Sequence, residues 1–326
     1  MDLFVTGGAG FIGRNLVSRL SQLGHRVSCL VREAGQARWM EDCPGLTPVA
    51  GDLLVPGSYR AALGKSELVF HLAGLTKART RAEYLETNGE GTGRLAEAAA
   101  APGSRVRKIV YVSSLAVAGP HCAARPAREE EEARPITHYG ESKLLGEELL
   151  RRHCGAAAWA VVRPAVVYGP FDRDVYAYFR AAARGFVPLV GGGTLELSLL
   201  HVADLVEALT LAAFSERSDG RVYFVSDGES HTSGEVVAIL RDLAGRARVV
   251  PIPAAALRLA GLVGDLAAAV TRKGVLLNSQ KAREALQEGW VCSNERIREE
   301  LGFAPRVDLE SGFRATFGWY RENGWI

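Results

Sequence analysis

The chain has 326 residues, 48% of them apolar and 23% charged. That balance excludes a disordered chain and allows one large or two medium domains. Lys+Arg 39 against Asp+Glu 37 leaves a formal charge of +2, with no basic excess to attract nucleic acid and no acidic tail.

Apolar periodicity gives the elements in chain order. A short strand at 2–6 enters a glycine turn, and a helix follows over 11–23 with Ile12, Leu16, Val17, Leu20 and Leu23 on one face. Strands follow at 26–31 and at Val49 before Gly51-Asp52, then a buried one at 68–72. A helical stretch covers 82–101, a strand 108–112, a helix 139–153 and a strand 159–162. Further on, a strand at 221–226 returns to the sheet, and helices cover 232–243, 293–301 and 309–322. Repeated β-α units predict an α/β fold, a doubly wound parallel sheet of the Rossmann type with helices on both faces. The expected division is 1–168 for nucleotide binding, with the sheet completed near 221–226, and 169–326 as a smaller, mainly substrate-binding region.

Three features bear on setting. Cys29, Cys43, Cys122, Cys154 and Cys292 are scattered, with no CxxC and no Cys/His cluster, so neither a disulfide framework nor a metal site is expected. A reducing cytoplasm fits that usage, and the N-terminus lacks the apolar length of a signal peptide. The longest apolar run, 254–270, is interrupted by Arg258 and Asp265. It is shorter than the ~20 residues an integral span needs. It reads as a packed helix, with a membrane-surface helix as the alternative. The acidic run Glu129-Glu130-Glu131-Glu132 lies in a Pro- and Ala-rich loop at 119–137, where it is either solvated or the edge of a lid.

Two constellations carry chemistry. The first is the turn Thr6-Gly7-Gly8-Ala9-Gly10-Phe11-Ile12-Gly13, a GxxGxxG pattern between the first strand and the first helix. Gly7, Gly10 and Gly13 permit the tight turn and a close backbone approach to a pyrophosphate, and Phe11 and Ile12 open a helix whose free N–H groups face it. The second strand ends Val31-Arg32-Glu33, so the acidic position typical of NAD sites is Val31 and an arginine follows. Arg32 therefore favours the 2′-phosphate of NADP. NAD stays the alternative, with Glu33 on the ribose. Asp52, with Leu53 beside it, is placed to meet the adenine amino group or is a simple turn residue.

The second constellation is Tyr139-Gly140-Glu141-Ser142-Lys143. Positions i and i+4 share a helix face, so a phenol and an ammonium stand side by side. The ammonium is expected to lower the phenol pKa and make Tyr139 a general acid/base. Ser113-Ser114 ends the preceding strand, and Ser114 can hydrogen-bond a substrate oxygen.

These motifs, with HLAG at 71–74, NGEGT at 88–92, RPAVVYGP at 163–170 and HVAD at 201–204, resemble an extended short-chain dehydrogenase/reductase of the NAD(P)-dependent epimerase/dehydratase-like superfamily. The resemblance runs along nearly the whole chain. It implies Ser114, Tyr139 and Lys143 as the catalytic triad, with Lys143 also holding the nicotinamide ribose. It puts Ala73, Gly74, Ser113, Pro164 and Val167 near the cofactor. It implies that Asn88 and Thr92 support the fold behind the site and that His201 and Asp204 anchor a helix. It also implies a homodimer through the 82–101 and 139–153 helices.

Sugar-nucleotide members carry an arginine where this chain has Leu197, and usually keep the acidic residue that is Val31 here. Both departures resemble instead the dihydroflavonol-reductase-like and 3β-hydroxysteroid-dehydrogenase-like branch. The expectation is an oxidoreductase acting on a ketone or secondary alcohol of a relatively apolar small molecule. Phe171, Tyr176, Tyr178, Phe179, Phe186 and Trp290 are candidates to cover that substrate. The alternatives are an NAD-dependent sugar-nucleotide epimerase or dehydratase, and a non-catalytic nucleotide-binding regulator.

Overall fold

Leu3, Phe4 and Val5 are fully buried, because the first strand lies inside the sheet and both its faces are covered. A computed structural model describes residues 1–33, 35, 38–41, 43–245, 247–271 and 278–326. Seven parallel strands form the main sheet. They are β1 (Asp2–Thr6), β2 (Arg26–Val31), β3 (Leu46–Ala50), β4 (Leu68–His71), β5 (Lys108–Val112), β6 (Ala158–Pro164) and β7 (Arg221–Val225). Their order is β7-β6-β5-β4-β1-β2-β3. The winding reverses between β1 and β4, so a crevice is expected at their carboxyl ends.

The helices cover the sheet on two sides. Helices α1 (Phe11–Gln22), α2 (81–99), α3 (His138–His153), α4 (Val202–Phe214), α5 (Ala254–Thr271), α6 (Ser279–Ala285) and α7 (Leu309–Glu322) are the ones used below. Strand side chains alternate between two cores. Leu3, Val5, Phe70 and Val110 pack with Leu16 and Val17 of α1 and Leu205 and Leu209 of α4. Phe4, Val69, Ile109 and Tyr111 pack with Leu95 and Ala99 of α2 and Leu150 of α3.

The expected elements are found with small shifts at their ends, and two differences carry meaning. First, α2 is not one regular helix. It runs Arg81–Tyr84, then π-helical over Leu85–Glu90, then α-helical over Gly91–Ala99. Asn88 sits inside the wide turn and bonds outward. Its amide nitrogen donates to the Leu75 carbonyl (3.0 Å) and to Ser142 Oγ (2.9 Å), and its Oδ1 accepts from the Leu75 N–H (2.7 Å). The same segment meets α3 at glycines. A Cβ on Gly146 would lie 2.7 Å from the Asn88 carbonyl oxygen, so the two helices touch backbone to backbone there.

Second, the loop at 119–137 is neither solvated throughout nor a free lid. The Glu129 side chain is 4% exposed, and its Oε1 accepts from the Phe224 N–H (2.8 Å) on β7, an edge strand. Arg128 pairs with Glu295 (2.8 Å), Arg296 pairs with Glu130, and Glu131 accepts from His121 (2.8 Å). The acidic run thus fastens the loop to the sheet edge and to the C-terminal part. At the other edge, β3 carries Pro48, a residue that only an edge strand tolerates readily.

The C-terminal part adds its own core of Tyr168, Phe179, Leu199, Leu240, Phe313, Phe317 and Tyr320. Two of the six aromatics expected over substrate, Phe179 and Tyr176, belong to this packing instead. Phe179 is fully buried, Tyr176 packs at an angle against Tyr320 (5.0 Å) and edge-on against Trp325 (5.3 Å), and Phe171 meets Trp319 (4.7 Å). Trp290 packs in a further cluster and donates to the Glu284 carbonyl (3.0 Å). Tyr178 and Phe186 are exposed. His201 and Asp204 hold structure, as the resemblance implies. His201 caps α4 through the Ala203 N–H (3.3 Å), and Asp204 accepts from the Arg306 and Val307 N–H groups (both 3.1 Å).

One buried ion pair locks α3 to the sheet. Glu147, fully buried, accepts from Arg163 Nε and Nη2 of β6 (both 2.8 Å), from Ser113 Oγ (2.7 Å) and from Arg151 (3.0 Å). Burial opposes its ionisation, yet the Arg163 guanidinium holds the carboxyl below its usual range. Removing one partner strands the other charge in the interior. Glu147→Ala is expected to cost about 3–5 kcal/mol in urea unfolding. Glu310→Ala, which breaks the exposed pair with Arg314 (2.7 Å), should leave the midpoint nearly unchanged.

Candidate active site

The glycine turn lies at the carboxyl end of β1. Gly7 has φ +73°, and a Cβ there would come 2.8 Å from the Ala73 nitrogen. A Cβ on Gly13 would run into the Gly7 carbonyl oxygen, so only glycine lets α1 start so close to the turn. The Gly10 N–H donates to that same carbonyl (2.9 Å). Helix α1 begins at Gly10 with no side-chain cap and no acidic residue in its first turn. Its leading N–H groups and dipole are thus offered to an anion, with Phe11 and Ile12 half-buried behind them.

A buried relay ties this turn to the next strand. Thr6 Oγ1 accepts from the Ala73 N–H (3.1 Å) and meets His71 Nδ1 (2.6 Å). His71 Nε2 meets Thr92 Oγ1 (2.9 Å), which itself donates to the Asn88 carbonyl (2.6 Å). Thr92 has no second proton to give, so the network assigns the imidazole proton to Nε2 and makes Nδ1 the acceptor from Thr6. Burial, with Lys143 nearby, pushes the His71 pKa down to about 3. The ring is neutral.

The other expected cofactor residues are distributed as follows. Arg32 and Glu33 are exposed directly after β2. Asp52 is exposed, and its Oδ1 accepts from the Leu54 N–H (2.8 Å), so one carboxylate oxygen builds a turn. Leu53 is buried, and a Cβ on Gly91 would lie 2.8 Å from its side chain. Gly74 stands against Lys143, since a Cβ there would lie 3.5 Å from Nζ. The Ser113 hydroxyl is spent on Glu147 (2.7 Å). Pro164 ends β6 and is buried, and Val167 pairs with Leu200 and packs on the core.

Ser114, Tyr139 and Lys143 converge at the ends of β5 and α3. Thr137 caps α3 by accepting from the Gly140 N–H (3.2 Å), which fixes the first turn where Tyr139 stands. A Cβ on Gly140 would lie 2.5 Å from the Ala116 carbonyl oxygen, so this turn presses against the segment after Ser114. The Ser114 hydroxyl stands near the Tyr139 phenol. Burial pushes the phenol's pKa up, and Ser114 opposes the rise only in part. The lowering expected from Lys143 is not what the structure gives: desolvation is the largest influence on the phenol, and the group that opposes it is Ser114. Lys143 Nζ donates to the Val112 carbonyl (2.7 Å) and lies over the Tyr111 ring (4.6 Å). Burial brings its pKa down to about 7, with Glu147 working against the fall.

A cavity of about 580 Å³ opens beside Tyr139, with Tyr84 at its wall. Its remaining lining comes from residues 76–81, the start of α3, α5 and α6. The lining is mostly polar, unlike the greasy pocket expected. Its cations are paired: Lys77 with Asp174 (2.5 Å), Arg79 with Glu83 (2.7 Å), Arg81 with Glu141 (2.6 Å) and Lys281 with Glu284 (2.6 Å). Sequence reading missed these residues, which share no spacing rule. It also missed Glu147 and Arg163, although Glu147 follows Lys143 by the same i+4 step that found Lys143.

The sequence profile described as "NAD dependent epimerase/dehydratase family" matches residues 3–226. The chain is 32% identical to "Ceramide reductase" of Caulobacter vibrioides (strain NA1000 / CB15N), over 99% of this chain and 95% of that protein. It is also 32% identical to a Stigmatella aurantiaca protein named "4-hydroxy-2-methyl-3-oxo-4-farnesyl-3,4-dihydroquinoline-1-oxide ketoreductase", over 97% and 95%. Among solved structures, the UDP-glucose 4-epimerase of Thermus thermophilus in complex with NAD superposes with a TM-score of 0.80 at 26% identity, covering 98% of this chain and 99% of that one.

The His71 environment fixes a pH dependence. The folded-state pKa, about 3, lies below the unfolded value near 6.5, so the unfolded chain binds the extra proton between them. Stability from this group is complete above pH 6.5 and falls with pH by up to about 1.4 kcal/mol per unit toward pH 3. Urea midpoints between about pH 7 and pH 5 should show the fall, and His71→Gln should flatten its own share of it.

Proposed function

We propose that this chain, which belongs to the NAD dependent epimerase/dehydratase family and is an NAD-dependent oxidoreductase-type enzyme, reduces the ketone of an amphipathic, lipid-like molecule. The observation that carries the reading is Tyr139, near Ser114 and standing in the wall of a cavity large enough for part of a small molecule. The two relatives support the direction and the substrate class. Both are named reductases; one name specifies a ceramide and the other a farnesyl-bearing ketone.

The residues fit a dinucleotide. Gly7, Gly10, Phe11, Ile12 and Gly13 would hold its pyrophosphate against the uncapped start of α1. Arg32 would take the 2′-phosphate of NADP, which makes NADPH the favoured form over NADH. Asp52 and Leu53 would border the adenine. Lys143 would hold the nicotinamide ribose, with Ala73, Gly74, Ser113, Pro164 and Val167 close by. The bound nicotinamide supplies the hydride that the carbonyl carbon receives. Ser114 orients the carbonyl oxygen, and Tyr139 delivers its proton to that oxygen. A phenol whose pKa is raised by burial keeps its proton at neutral pH, which suits an acid in the reductive direction.

A sugar-nucleotide substrate is less well supported. The position expected to hold its diphosphate is Leu197, which pairs with Trp290 and His231 in a small sheet. The cations around the cavity each already have a carboxylate.

Two variants test the reading. Tyr139→Phe should keep NADPH binding and lose about 10²–10⁴ in turnover of a soluble ketone. Turnover near the parental rate would remove Tyr139 from the chemistry. Arg32→Ala should weaken NADPH by about tenfold or more in a fluorescence titration and leave NADH unchanged, since a charge-assisted bond to phosphate is lost. Equal weakening of both nucleotides would remove the NADP assignment.

A further inference from the structure

Most polar groups around the cavity beside Tyr139 are already engaged. Tyr84 donates to the Thr76 carbonyl (3.1 Å), and Thr80 and Thr137 cap helix starts by accepting from the Glu83 and Gly140 N–H groups (both 3.2 Å). Asn278 caps α6 by accepting from the Lys281 N–H (2.9 Å). The lysines and arginines stand in the ion pairs described above. Two neighbouring groups differ. Gln280 has used only its oxygen, and His138 Nδ1 is buried without a hydrogen bond, with the Glu141 carboxylate 3.5 Å away.

The Gln280 oxygen has a structural task. His138 is the first residue of α3, and its N–H is one that the helix itself cannot satisfy. Gln280 Oε1 accepts from it (2.7 Å), across 142 positions of sequence. Only the oxygen of a carboxamide accepts, so this bond fixes which way the amide is turned. The nitrogen, with two N–H groups, is left without an acceptor among the described residues, on a half-buried side chain that lines the cavity. Helix α6 is held in place around it. Arg283 donates to the Ile136 carbonyl (3.4 Å), and Trp290 donates to the Glu284 carbonyl (3.0 Å). Gly261 of α5 presses on α6 so closely that a Cβ would come 3.0 Å from the Asn278 carbonyl oxygen. The two N–H groups are therefore fixed by the fold rather than free to swing.

A fixed, half-buried donor without an acceptor is costly unless a ligand supplies one, and His138 Nδ1 is a second unmet atom at the same place. Gln280 is anchored to the residue before Tyr139 and lines the same cavity, so an acceptor that it meets is a near neighbour of the oxygen that Tyr139 protonates. That acceptor is uncharged, because an anion would find the lysines and arginines of the lining already paired, and their carboxylates beside it. We propose that Gln280 sets the specificity of the reduction: its amide N–H groups donate to an oxygen on the carbon next to the ketone, while its Oε1 holds the start of α3. The substrate class is then a ketone with an uncharged hydroxyl or ether oxygen on the adjoining carbon. This rests on the reading of Tyr139 as the acid of a ketone reduction, and it adds what separates one ketone from another.

The test compares two soluble probes, an α-methoxy ketone and the ketone in which a CH₂ replaces the ether oxygen. Each is titrated calorimetrically into the full chain with NADP⁺ or NAD⁺ present, and turnover with the reduced nucleotide is measured separately. The parental chain should bind the methoxy ketone about fivefold to tenfold more tightly, and the same preference should appear in KM. Gln280→Glu is the informative variant. It keeps the oxygen that caps α3 and adds negative charge at the helix start, so the thermal midpoint should hold. It removes both donors and sets a carboxylate against the ether oxygen, so at about pH 8, where that carboxyl is ionised, the preference should vanish or reverse. A purely structural Gln280 would keep its preference in Gln280→Glu, and that result overturns the proposal. So does a parental chain that binds both ketones equally or neither of them, which needs no variant to observe. Preferential binding without turnover would remove the reductase reading and leave Gln280 as the selecting residue, whereas turnover of both ketones without preference would do the opposite.

Discussion

The helix that carries Tyr139 and Lys143 also carries Glu147, and Glu147 fixes where that helix sits. The three residues are four apart, so they share one face of α3. At the inner end, the carboxylate takes both nitrogens of the Arg163 fork on β6 and the hydroxyl of Ser113 at the end of β5. A buried carboxylate is tolerable only with such partners, and a forked contact allows little sliding or rotation. The outer end is held by the Thr137 cap and by the glycine contact with Ala116. Between these two clamps, the phenol of Tyr139 and the ammonium of Lys143 have little freedom of position.

The opposite wall is set by different means. Helix α2 approaches α3 closely because glycines face it, and its π-helical turn lets Asn88 reach both Leu75 and Ser142. That places the segment after β4 against α3. The segment continues into residues 76–81, part of the cavity lining. The irregular helix turn is thus a spacer between the sheet and the cavity. The His71 relay joins it to the glycine turn, so the nucleotide-facing edge and the cavity-facing edge share one hydrogen-bonded interior.

Much of this was legible in the sequence. The order of the sheet elements followed from alternating strand and helix periods, and the glycine turn and the Tyr139–Lys143 pair stood at short, regular spacings. Glu147 followed the same spacing and was overlooked only because the motif was read as ending at Lys143. Other features had no such mark. The π-helical turn depends on Asn88 finding partners 13 and 54 residues away. The cavity lining is assembled from segments far apart in the chain, and its polarity reflects ion pairs that only the folded chain forms. Aromatic content in the C-terminal part was a poor guide, because some of those rings pack into cores of that part and others stand exposed. The phenol pKa was misjudged for a related reason: spacing reveals a neighbouring charge but not the loss of water around the group.

The carboxylate of Glu129 on the Phe224 N–H has a consequence for many copies of this molecule rather than for one. Strand β7 ends the sheet, and an uncovered strand edge is a template on which another chain can extend the sheet. The loop at 119–137 brings a buried negative charge onto that edge, and Arg296 and Glu295 hold the loop in place from the C-terminal part. At the far edge, Pro48 removes one donor from β3. The two borders are therefore protected on different schedules. Proline guards its border as soon as β3 forms, whereas the guard at β7 needs the loop and the segment carrying Glu295 and Arg296 to have folded. A chain still emerging or partly unfolded at its C-terminus would leave β7 open, and self-association through that border is the hazard this loop suppresses.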